Sequence, residues 1–93
     1  MEGYLPVDDF LAQLHLGLAK LSFQDGNFLD AAGKFRTVYE QHPQSSAAAE
    51  AMYWAGVSEY KATNEASKLK DTGSLLAKKY PDTEWAKKGS IWI

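Results

Sequence analysis

Few residues of this 93-residue chain have the types and spacing that catalysis requires. It contains no cysteine, which excludes disulfides, thiolate metal ligands and cysteine nucleophiles within it. The two histidines, His15 and His42, fall on different predicted elements, and neither has a second ligand at i+4. Packing at a turn accounts for His42. Asp8 and Asp9 read as helix-start acids; a catalytic carboxylate pair would converge from separate elements across a cleft. A glycine-rich phosphate loop and a nucleophile elbow are both missing. The chain therefore reads as a non-enzyme that needs no metal and no other cofactor. Binding is the remaining chemistry.

Charge narrows what could be bound. The formal net charge is −2. Residues 1–60 hold eight acids against three bases, whereas residues 61–93 hold four acids against seven lysines. Nucleic-acid binding would have to use Lys68, Lys70, Lys78, Lys79, Lys87 and Lys88, with Arg36 as the single arginine. Arginine is the preferred reader of bases and phosphates, so these lysines read as a solvated helix face. No long apolar run or basic region leading into an apolar one is visible, so neither membrane insertion nor a targeting segment is expected. The apolar end Ser90-Ile91-Trp92-Ile93 stops in mid-pattern, as a domain cut from a longer protein would.

Five helices would have to position any binding residues. The first is predicted over residues 7–24, with Leu11, Leu14, Leu18 and Leu21 at spacings of 3, 4 and 3 as its inner face. Asp25-Gly26-Asn27 breaks the chain. The second covers residues 28–41, with Phe28, Ala31, Phe35, Val38 and Tyr39 inward, and ends at Pro43. The third, residues 46–62, is nearly apolar all round, as suits a helix packed on more than one side, with Trp54 as buried bulk. Asn64 is expected to cap the fourth, residues 65–79, which turns Leu69, Leu75 and Leu76 inward and carries Gly73 where another helix could approach closely. Asp82 is expected to cap a fifth from about Thr83. With an apolar share of 45%, the chain has ample material for one small core.

The segments also echo one another at an offset of 38 residues. Pro43, Ala48 and Trp54 recur as Pro81, Ala86 and Trp92, and Ser45 answers Thr83. Phe28, Ala31, Phe35, Val38 and His42 line up with Ala66, Leu69, Gly73, Leu76 and Tyr80. A period of this length built from helix-spaced positions marks a repeated helical hairpin.

The pattern resembles the tetratricopeptide repeat. Gly26, Phe28, Ala31, Phe35 and Pro43 match the first repeat, and Gly56, Tyr60 and Pro81 match the second. The period is nearer 38 than 34, the small-residue place of the first helix falls on Gly17 or Ala19, and Gly73 stands where phenylalanine is usual. The junctions His42-Pro43-x-Ser45 and Tyr80-Pro81-x-Thr83 are similar to those of bacterial envelope proteins with long-period repeats. Glu2-Gly3-Tyr4-Leu5-Pro6 resembles the lead into the C-terminal repeats of bacterial thioredoxin-like proteins, although no thioredoxin active-site motif is present.

The resemblance implies an all-α fold: antiparallel hairpins stacked as a short right-handed superhelix in a single domain, residues 1–93. Residues 7–42 would form repeat one, 46–80 repeat two and 82–93 a terminal helix. It also implies a concave groove lined by the first helix of each pair. With Gly56 as the small position of repeat two, that groove holds Glu50, Tyr53, Val57, Tyr60 and Lys61. With Ala19 in repeat one it holds Gln13, Leu16, Lys20, Phe23 and Gln24. Two tyrosines beside a glutamate and a lysine offer rigid aromatic area with polar handles. The same spacing equally suits a core stripe. Carboxylate-clamp binding is not expected, because Leu16, Lys20, Tyr53 and Val57 occupy the places of its lysines and asparagines. The implied function is a protein-interaction module holding a peptide or partner helix. The alternative is a structural domain that forms a homodimer through Ile91-Trp92-Ile93 or docks on another, thioredoxin-like, part of a larger protein.

Overall fold

The breakers divide the chain as their chemistry demands. Gly26 adopts φ +83° and Asn64 φ 61°, left-handed conformations that glycine and asparagine tolerate best. Pro43 and Pro81 close two further junctions. Between them the computed structural model, which describes residues 7–45 and 47–92, holds α1 (Val7–Gln24), α2 (Phe28–Gln41), α3 (Ala48–Thr63), α4 (Ala66–Lys79) and α5 (Glu84–Gly89). A 3-10 turn, Ser90–Trp92, follows α5. The protein is all-α, with no strand among the described residues. The expected helix boundaries hold to within two residues. The segment Glu2–Pro6, Ser46, Ile93 and the side chains of Asp8 and Trp92 lie outside the described residues.

Two caps differ from expectation. Asn64 ends α3 rather than starting α4: its left-handed backbone lets its N–H donate to the Tyr60 carbonyl at 2.6 Å. Thr83, not Asp82, caps α5, its hydroxyl oxygen accepting from the Ala86 N–H at 3.1 Å. The two proline junctions share one geometry. His42 and Tyr80 adopt φ/ψ of −130°/56° and −135°/55°. In each, the carbonyl of that residue accepts a hydroxyl three residues on at 2.8 Å, from Ser45 and from Thr83. The 38-residue echo is therefore conformational as well as compositional.

Each helix packs on its successor in the chain, α1 on α2, α2 on α3, α3 on α4 and α4 on α5, and α3 also touches α1 and α5. The molecule is elongated, 45 × 29 × 17 Å. One core cluster centres on Ala12, Leu16, Ala19, Phe35, Val38 and Ala51, and a second on Met52, Leu76 and Ala86. As its apolar circumference implied, α3 lies between both. Close approach of α3 and α4 occurs at Gly56, where a Cβ atom would stand 2.0 Å from the Thr72 hydroxyl oxygen. Gly73, beside Thr72, is buried.

The inner face of α1 is not the leucine stripe. Ala12, Leu16 and Ala19 are buried, whereas Phe10, Leu14, Leu18 and Leu21 stand 57%, 51%, 47% and 56% exposed, and Leu11 is exposed beside them. The helix carries two apolar faces. The one rich in alanine packs inward because small side chains let helix axes come closer than leucines would allow. Leu75 on α4 is likewise exposed, while Leu76 is fully buried.

Candidate functional site

Aromatic residues from alternate helices meet along one face. Phe23 ends α1 in the turn before Gly26, and its ring packs edge-on against Phe28 at 5.2 Å and Trp54 at 5.5 Å between centroids. Trp54 in turn meets Tyr53 at 5.3 Å, and Tyr53 meets Trp85 of α5 at 5.2 Å. Trp54 and Trp85 are themselves 6.5 Å apart, so Tyr53 wedges beside the two indoles and the row from Phe28 to Trp85 spans at most about 17 Å; its edge-on and tilted contacts hold the rings in fixed orientations. All five rings are half-buried. Trp54 is therefore not the enclosed core residue that its position on an apolar helix suggested, because α1 and α5 flank it without covering it.

Charge is distributed along this row. Lys20 Nζ lies 2.7 Å from Glu50 Oε2, linking α1 to α3. The same carboxylate oxygen accepts from Trp54 Nε1 at 3.3 Å, fixing the indole's orientation. At one end Lys61 Nζ sits 5.7 Å from the Phe28 ring centroid, and at the other Lys88 Nζ sits 4.4 Å from that of Trp85. Ammonium groups over aromatic faces are attracted by the ring quadrupole and keep their charge at the surface. Two hollows open beside the row. One, of about 310 Å³, is lined by Lys20, Phe23, Gln24, Phe35 and Trp54. The other, of about 600 Å³, is a shallow hollow bordered by Phe28, Leu29, Asp30 and Lys61. Asp30 in the second is held below its usual carboxylate range by hydrogen bonds from Lys34 and Ser22.

The structure brings together only part of the predicted groove. Lys20, Phe23, Glu50, Tyr53 and Lys61 belong to the row or its hollows. Gln13 is exposed on α1, and Val57 and Tyr60 are half-buried along α3, lining neither hollow. Leu16 is a correction. It is only 3% exposed, because it belongs to the inward, alanine-rich face of α1. Trp54 and Trp85 were missed as surface residues. Their signal was available: Phe23, Trp54 and Trp85 recur every 31 residues, one on each odd-numbered helix.

His15 and His42 also meet, with ring planes 17° apart and centroids 6.2 Å apart. No third ligand joins them; among the described residues no cluster of three His, Asp or Glu could hold a metal. No family model, curated protein or solved structure matches the chain. What the site can do is therefore read from its geometry alone. Half-buried rings, oriented polar groups and a hollow the size of one or two side chains suit recognition of an apolar side chain on an extended segment.

Proposed function

We propose that this chain is a tetratricopeptide-like interaction module whose aromatic row, built by α1, α3 and α5 with Phe28 of α2 at one end, holds a peptide or partner helix. The supporting observation is the row itself: five half-buried rings, fixed by edge-on and tilted packing and flanked by Lys20, Lys61 and Lys88. The repeated junction geometry at His42 and Tyr80 supports the stacked-hairpin reading. An extended segment of up to roughly five residues matches the row's length at about 3.3 Å per residue. Its apolar anchor would enter the hollow between Phe23 and Trp54. Carboxylates on either side would reach Lys61 and Lys88. Affinity comes from preformed shape, since little on this face has to be ordered on binding.

Selection of a phage-displayed peptide library on the wild-type chain tests this. The reading expects enriched peptides with an apolar anchor and flanking acids. They should bind at least about tenfold more weakly to a Tyr53→Ala, Trp85→Ala variant whose helical circular dichroism is unchanged. Peptides retained equally by that variant, or no enrichment at all, would place recognition elsewhere.

A further inference from the structure

We propose that the outer face of α1 is a self-association surface that pairs with the same face of a second copy of this chain. This surface is separate from the aromatic row. At about 100° per residue, Ala12, Leu16, Ala19 and Phe23 fall on one side of α1, and Phe10, Leu14 and Leu21 fall directly opposite, with Leu18 and Leu11 alongside. None of these leucines nor Phe10 contributes to either core cluster. Together the five side chains leave on the order of 500 Å² of apolar surface, which exceeds what scattered exposed residues present.

Three observations select a copy of the same chain as the occupant. First, the stripe itself carries no charge, and Lys34 of α2, which borders Leu18, is paired with Asp30. The charged residues of α1 are Asp8, Asp9 and Lys20, which lie on other registers, and Lys20 is engaged by Glu50. An isologous contact places each patch on itself, and this one meets no like charge when it does so. Second, the area suffices. Stripe plus flanking Gln13 and Gly17 approaches the lower end of specific interfaces, roughly 600 Å² per partner, over a helix roughly 27 Å long. Third, Gly17 lies midway along α1 at the edge of the stripe, with no atom of the described residues within 4 Å of where its Cβ would be. Glycine is a poor choice inside a helix, and no neighbour among the described residues needs the space. A crossing helix needs it, because the missing side chain lets two backbones come close. Antiparallel pairing about a two-fold axis near Gly17 joins the two stripes.

Sedimentation equilibrium of the 93-residue chain over a concentration range of about 5–500 µM tests the pairing. The wild type should pass from 10.3 kDa toward twice that mass. A Leu14→Glu, Leu21→Glu variant should stay monomeric with an unchanged helical spectrum, since both positions are already exposed. Gly17→Gln separates association from folding. It should raise the melting temperature of the monomer while weakening association at least about tenfold. A wild type that is monomeric throughout overturns the proposal. So does a dimer that both variants retain undiminished, which would point to the exposed end at Ile91.

Discussion

Replacing Gly56 by alanine should destabilise the protein even though alanine is the better helix former. The added Cβ would lie 2.0, 2.5 and 2.6 Å from Oγ1, Cβ and Cγ2 of Thr72, where ordinary contact begins at 3.4 Å. No rotation of Thr72 relieves this, because its Cβ is itself too close. Its hydroxyl is also committed, donating to the Lys68 carbonyl at 2.8 Å. Helices α3 and α4 must therefore separate by on the order of 1 Å, which loosens the packing around Met52 and Leu76. Overpacking of this kind costs about 3 kcal/mol, against about 1 kcal/mol returned by helix propensity. The net loss of about 2 kcal/mol corresponds to a fall in melting temperature of roughly 8–16 °C for a domain of this size. Urea titration followed by circular dichroism at helical wavelengths measures it. Gly33→Ala is the control: nothing lies within 4 Å of its Cβ position, so it should gain up to about 1 kcal/mol. Adding Thr72→Gly to Gly56→Ala should recover part of the loss, giving a coupling of about 1 kcal/mol or more. A Gly56→Ala protein as stable as the wild type would refute the reasoning.

Other perturbations have equally direct readouts. Thr83→Ala removes the acceptor for the Ala86 N–H and should cost about 1 kcal/mol, seen as a lower urea midpoint at unchanged slope. Burial pushes the hydroxyls of Tyr39 and Tyr80 above their ordinary value of 10.0. A group raised in the folded state contributes stability that is complete below its unfolded value and lost as pH climbs through its folded one. Stability should therefore decline from about pH 10 upward, and a Tyr39→Phe variant should decline less steeply in urea titrations across that range. Glu50→Gln should change stability by no more than about 1 kcal/mol, because Lys20 is half-exposed, yet should loosen Trp54 and shift its fluorescence.

Helix positions were largely legible in the sequence because glycine, asparagine and proline punctuate it with conformations that few other residues accept. Which face of each helix turns inward was less so. In α1 the spacing of Leu11, Leu14, Leu18 and Leu21 identifies an apolar face correctly, but periodicity ranks faces by bulk while packing ranks them by fit. Ala12, Leu16 and Ala19 win because they permit a shorter distance between axes. Leu16 was placed in a groove for another reason, the repeat register with Ala19 as its small position, and Trp54 in a core by the apolar circumference of α3. At Asn64, identity announced a cap, yet whether it ends one helix or begins the next depends on the sign of φ, and the structure makes it positive. Of the aromatic row and its flanks, Lys20, Glu50 and Tyr53 could be found from register. The 31-residue spacing of Phe23, Trp54 and Trp85 was legible too, but not that α5 folds back beside α3 to join the rings.

The matched junctions at His42 and Tyr80 have a geometric consequence. Each turn opens along nearly the same path, although α3 starts six residues after His42 and α5 four after Tyr80. The Tyr80 hydroxyl donates to the Pro43 carbonyl at 2.9 Å, bracing one junction directly on the other. This brace ties the corner after α2 to the corner after α4, so a change that moves one is felt at the other.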